Sequence, residues 1–97
     1  MRVVVIIPTY NEAESTPKLI EALAQVFPQV LNHEMLALYV DDSSPDGTAK
    51  IVADLQAKYE WLHLLVNPQK GGLGAAYAAG MTYAMAKLNA DYLMEFD

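Results

Sequence analysis

Cysteine is absent from this 97-residue chain, which excludes disulfides and thiolate-held metals and suits a reducing compartment. Basic residues are few: six Lys and Arg stand against twelve Asp and Glu, a formal net charge of −6. That balance argues against nucleic acid or an anionic membrane surface as the main partner. No apolar run approaches the roughly 20 residues of a membrane-spanning helix. The short apolar run after Arg2 leads into Pro8-Thr9-Tyr10-Asn11-Glu12, which reads as a turn and not as a signal-peptide cleavage site. Repeats and low-complexity stretches are also missing. With 54% hydrophobic residues, the chain has enough apolar mass for the packed core of one small domain.

The apolar residues fall into strand-like and helix-like stretches that alternate. Val3 to Ile7, Met35 to Val40, Leu62 to Val66 and Tyr92 to Phe96 read as strands. Between the first two, Thr16 is the expected N-cap and Pro17 the first helical residue; Leu19, Ile20, Leu23, Ala24 and Phe27 recur at helical spacing up to Pro28. A second helix follows Ser44-Pro45-Asp46-Gly47, with Ile51, Val52, Leu55 and Tyr59 on one face. Gly71-Gly72-Leu73-Gly74 opens a third, with an apolar stripe of Leu73, Ala76, Tyr77, Gly80, Met81, Ala84, Met85 and Leu88. Its small residues (Gly74, Ala75, Ala76, Ala78, Ala79 and Gly80) would let it approach the sheet closely. The five Met residues read as core. Alternation of this kind predicts right-handed βαβ units, and near-continuous apolar strands predict a sheet covered on both faces. The expected fold is a Rossmann-like three-layer α/β/α half-domain with a mostly parallel sheet of about four strands, ordered third, second, first, fourth.

The acidic residues sit where three strands stop. The first strand runs into Pro8-Thr9-Tyr10-Asn11-Glu12, the second into Asp41-Asp42, the fourth into Asp97. In such sheets ligands bind outside the carboxyl ends of the strands. Carboxylates at that edge suit a ligand held together with something cationic, and a phosphate-bearing ligand there needs a divalent metal between the two. Neighbouring strand residues point to opposite faces, so Asp41 and Asp42 must divide the work: one faces the ligand crevice, the other takes backbone donors or caps the next turn. The alternative is that Asp42 to Gly47 is only a turn and helix cap. The glycine cluster lacks both the dinucleotide and the P-loop spacing. Lys70 could sense a phosphate or be solvated, and His33 and His63, with no neighbour at metal-ligand spacing, read as structural.

Val5-Ile6-Ile7-Pro8-Thr9-Tyr10-Asn11-Glu12 and Val40-Asp41-Asp42-Ser43-Ser44-Pro45-Asp46-Gly47-Thr48 together resemble the family-two inverting glycosyltransferases of GT-A fold. Lys70-Gly71-Gly72-Leu73-Gly74-Ala75-Ala76-Tyr77 and Met94-Glu95-Phe96-Asp97 resemble the polyprenyl-phosphate (dolichyl-phosphate) mannosyltransferase branch. The resemblance implies transfer of a hexose from a nucleotide sugar, typically GDP-mannose, to a polyprenyl phosphate, with Mg or Mn. It implies that Pro8, Tyr10 and Glu12 line the nucleotide pocket and that Val40 and Asp42 contact base and ribose. Asp97 would be the first carboxylate of an Asp-x-Asp motif that holds the diphosphate through metal. Ser43 stands where the family usually has Gly, and Gly71 where it usually has Leu.

An end on an apolar strand is unusual for a domain, so residues 1–97 are expected to be the N-terminal nucleotide-sugar-binding part of a GT-A domain, truncated at its C-terminus. The intact protein is expected at the cytoplasmic membrane face as a peripheral enzyme. The alternatives are another family-two transferase using a UDP-sugar, or a non-catalytic self-associating fragment. A homo-oligomer is expected through an exposed fourth strand.

Overall fold

The computed structural model describes residues 1–67 and 71–96. The first strand, β1 (Arg2–Thr9), leads to helix α1 (Thr16–Val26) and strand β2 (Glu34–Asp41). Helix α2 (Thr48–Gln56), strand β3 (Leu62–Val66), helix α3 (Gly72–Lys87) and strand β4 (Tyr92–Glu95) follow. All pairings are parallel and the order is β3-β2-β1-β4, as the alternation predicts.

Period-two alternation in β1 and β2 divides the core between the two faces of the sheet. Val5, Ile7, Ala37 and Tyr39 pack with Ile20 and Leu23 of α1 and Val52 of α2. Val4, Ile6, Leu36, Leu38 and Val40 pack on the other side with Ala76 and Ala84 of α3 and with Leu88. Both central strands are therefore apolar on both faces, which is why they read as continuous hydrophobic runs. β4 is the exception. It pairs with β1 on one side, no described strand pairs with its other edge, and Tyr92 and Met94 are about half exposed.

Several local expectations need correction. The N-cap of α1 is Ser15, and Thr16 is already helical, because the Thr16 amide and hydroxyl both donate back to the Glu12 carbonyl. Pro28 does not stop the chain at once; Phe27–Gln29 form a further 3₁₀ turn, which a proline in its first turn tolerates. The apolar stripe of α3 is narrower than expected. Ala76, Gly80, Ala84 and Leu88 are buried, whereas Leu73 and Met85 are exposed, as are Met1 and Met94. Close approach to the sheet is made at Gly80, where an added Cβ would lie 2.8 Å from Ile6 Cγ2 and 2.9 Å from Val40 Cγ2. Gly74, Ala75 and Ala78 face outward and take no part in it.

Candidate functional site

Parallel register brings the ends of β1 and β2 level, pairing Pro8 with Val40 and Thr9 with Asp41. The two adjacent carboxylates separate there, and both are almost wholly buried. Asp41 organises the turn. Its Oδ1 accepts the Thr9 hydroxyl (3.0 Å) and the Ser44 hydroxyl (2.6 Å), and its Oδ2 accepts the Ser44 amide (2.9 Å). Asp42 reaches across to the start of α3, where Oδ1 and Oδ2 both accept the Gly71 amide and Oδ2 accepts the Gly72 amide, each at 3.2 Å. A carboxylate at a helix N-terminus satisfies otherwise orphaned amides and complements the helix dipole. An ionised carboxylate has about four acceptor positions. The two amides of α3 leave Asp42 Oδ1 the less occupied oxygen.

A concavity of about 230 Å³ opens above Asp42, lined by Pro8, Thr9, Tyr10, Asp42, Gly72, Leu73 and Ala76. Complete small-molecule pockets run to roughly 300–1,000 Å³, so this one has room for part of a ligand. Its walls are apolar on the Leu73 and Ala76 side and aromatic at Tyr10, which is 38% exposed; Asp42 supplies an acceptor at the base. Such a surface suits a flat ring stacked on Tyr10 with a donor turned toward Asp42.

Of the residues expected at the site, Pro8, Tyr10 and Asp42 meet in this concavity. Glu12 does not. It lines an adjoining hollow of about 200 Å³ on the α1 side, which shares Pro8 and Thr9 with the concavity and is walled by Ser15, Thr16, Tyr39 and Phe96, and its Oε2 accepts the Ser15 hydroxyl at 3.0 Å. Val40 is fully buried under α3, so it supports the concavity from beneath. Asp97 and Lys70 lie outside the described residues. Gly72, Leu73 and Ala76 line the concavity although their sequence reads only as helix packing; the signal was the glycine pair, whose amides bind a carboxylate from another loop. A larger hollow, about 470 Å³, is at the opposite, amino-terminal end of the strands around the Arg2–Glu34 ion pair, far from these carboxylates.

The backbone around the site is bent in ways the sequence only partly signals. Asn11 (φ 55°) and Ser43 (φ 57°) adopt the left-handed conformation that favours glycine. The left-handed backbone at Ser43 explains physically why glycine suits that position. The Ser43 hydroxyl donates to the Asn67 carbonyl, tying the β2 end to the β3 end. Tyr39 Oη, beneath the second hollow, has no hydrogen-bond partner among the described residues, and burial pushes its hydroxyl well above the ordinary tyrosine range.

Among the described residues no three His, Cys, Asp or Glu side chains stand close enough to hold a metal ion. Asp41 is filled by two hydroxyls and an amide, and Asp42, which keeps free acceptor capacity at Oδ1, stands without a second carboxylate or imidazole among the described residues turned toward the same point. The described part of the site therefore does not by itself form a metal centre.

Among the described residues no helix is long and apolar enough to cross a membrane. Residues 4–97 match the family model for glycosyl transferase family 2. The undecaprenyl-phosphate mannosyltransferase of Micrococcus luteus is 41% identical over 97 residues, covering 100% of this chain and 37% of that protein. The polyprenol monophosphomannose synthase of Mycolicibacterium smegmatis is 41% identical over 87 residues, covering 89% and 31% respectively. The chain thus spans about a third of the length of the curated relatives it matches. A solved mannosyltransferase from Pyrobaculum calidifontis, in complex with GDP-Man and Mn2+, superposes with a TM-score of 0.65 at 30% identity. That superposition covers 86% of this chain and 24% of the other, and it matches the α/β architecture expected of a GT-A enzyme. On its sequence and its fold, this chain belongs to glycosyl transferase family 2.

Proposed function

We propose that this chain carries the nucleotide-sugar-binding part of a polyprenyl-phosphate (dolichyl-phosphate) mannosyltransferase, which moves mannose from GDP-mannose to a polyprenyl phosphate. The observation that carries this reading is the concavity in which Pro8, Tyr10 and Asp42 meet at the carboxyl ends of β1 and β2. The names of the relatives and the GDP-Man in the Pyrobaculum structure support the choice of donor and acceptor class. In this reading Tyr10 stacks the base, and Asp42 accepts a hydrogen bond from base or ribose through Oδ1. The start of α3 closes the far wall. Glu12 lies beside the site and acts on the loop rather than on the base.

The proposal assigns a divalent cation, Mn or Mg, to Asp97 and the donor diphosphate, in line with the Mn2+ of the Pyrobaculum structure. It places the intact enzyme at the cytoplasmic membrane face, because a polyprenyl acceptor is embedded in the bilayer. It also assigns a second copy of the chain to the outer edge of β4, whose half-exposed Tyr92 and Met94 flank unpaired backbone.

Calorimetric titration with GDP and with UDP, each with Mn, on the chain and on Asp42→Ala tests the donor site. GDP is expected to bind more tightly than UDP, and Asp42→Ala to weaken GDP severalfold. Equal GDP binding by both proteins removes Asp42 from the site, and a preference for UDP turns the reading to a UDP-sugar transferase. Light scattering tests the edge: a clean 10.7 kDa monomer defeats self-association, and Leu93→Lys should lower the mass of any oligomer.

A further inference from the structure

The loop between β1 and α1 holds Tyr10 at the site, yet three consecutive amides in it cannot pair within a helix or strand. Each finds a side chain from the loop between β2 and α2 or from the first residue of α2, more than thirty residues away. The Asn11 amide donates to Ser44 Oγ at 2.9 Å, the Glu12 amide to Thr48 Oγ1 at 3.1 Å, and the Ala13 amide to Asp46 Oδ2 at 3.1 Å.

The protons balance. A hydroxyl has one proton to give and two lone pairs to offer. Ser44 gives its proton to Asp41 Oδ1 and so meets Asn11 with a lone pair. Thr48 gives its proton to Asp46 Oδ1, which also accepts the Thr48 amide at 3.1 Å, and so meets Glu12 with a lone pair. Two carboxylates thereby fix the direction of two hydroxyls, and the hydroxyls fix the loop. A run of amides next to a left-handed residue such as Asn11 is the kind of concavity that binds anions. Here side chains fill it, so these three amides are not free for a phosphate. Thr48 is wholly buried, and Asp46 is held below the usual carboxylate range mainly by the Thr48 hydroxyl, although it faces solvent.

We propose that Ser44, Asp46 and Thr48 are positioning residues: they clasp residues 11–13 and so hold Tyr10 against the concavity where the nucleotide base binds. This inference rests on the nucleotide reading above. It departs from the view of Asp42 to Gly47 as only a turn and helix cap, since a cap would serve its own helix only.

Amide hydrogen exchange of the full chain without ligand, followed by GDP titration, tests it on Asp46→Ala, Thr48→Val and the hydroxyl-retaining Thr48→Ser. Exchange at Glu12 and Ala13 should rise in the first two, by about two- to tenfold for each ordinary hydrogen bond lost. The amides of Val4 to Ile6 should stay protected, which shows that the sheet is intact. GDP affinity should fall by a similar factor, and Thr48→Ser should restore both readouts. Unchanged exchange at Glu12 and Ala13 overturns the clasp, whatever the nucleotide does. Loosened amides with unchanged GDP affinity overturn the positioning role. Failure of the nucleotide reading is distinguishable from both, because then the unaltered chain binds no GDP although its loop amides are protected.

Discussion

Gly80→Ala tests the packing that sets α3 against the sheet. In an exposed helix interior this change is favourable by about 1 kcal/mol, because alanine restricts the unfolded chain. At Gly80 the new Cβ would stand 2.8 Å from Ile6 Cγ2 and 2.9 Å from Val40 Cγ2. Carbon atoms prefer separations of about 3.5–4.0 Å, so something must give by most of an ångström. Ile6 and Val40 are both fully buried and β-branched, with little freedom at χ1, so the helix has to move. Overpacking of this kind costs about 1–3 kcal/mol. Set against the propensity gain, the net loss is about 1 kcal/mol. For a domain of this size that lowers Tm by about 4–8 °C. Thermal and urea unfolding followed by circular dichroism would measure it. Gly74→Ala, where the added Cβ meets nothing within 4 Å, is the matched control and should be neutral or stabilising by up to about 1 kcal/mol. A Gly80→Ala protein as stable as the parent, or two variants shifting in the same direction, would refute the reasoning.

Tyr39→Phe should stabilise the chain by about 1 kcal/mol in urea unfolding, since it removes a buried hydroxyl with no partner among the described residues; a loss of stability would mean the hydroxyl is bonded. Burial raises the folded-state pKa of Tyr39 above its ordinary value of 10.0. The parent should therefore keep full stability below pH 10 and lose it above, more steeply than Tyr39→Phe. Asp41→Ala leaves two hydroxyls and an amide without their acceptor and should cost about 3 kcal/mol, read from the urea midpoint. Burial, aided by the Arg2 charge, holds His63 below its ordinary 6.5. Its contribution is present above pH 6.5 and lost as the pH falls through the lower folded value. His63→Leu should flatten the acid side of the stability profile, and an unchanged profile would place that loss elsewhere.

The order of elements and the parallel pairing were legible from the alternation of hydrophobic periods, and the sequence β3-β2-β1-β4 from the order expected of a Rossmann-like sheet. Strands buried on both faces have to be continuous apolar runs, and β3 begins and ends where its apolar run does. That Pro8, Tyr10 and Asp42 gather at one end was equally legible, because parallel strands of like length bring their carboxyl ends level. Local pattern could not say which of Asp41 and Asp42 turns toward the concavity, because that depends on the amides each meets: Ser44 for one, Gly71 and Gly72 for the other. Nor could it separate Gly80 from Gly74, two glycines of one helix, until the sheet lay beneath the first and solvent beside the second. Nor could it say that Glu12 lines the hollow on the α1 side, where its carboxylate accepts the Ser15 hydroxyl. The clasp of Ser44, Asp46 and Thr48 on residues 11–13 belongs to tertiary structure alone, because its donors and acceptors stand more than thirty residues apart in the chain and are brought together only when β1 and β2 pair.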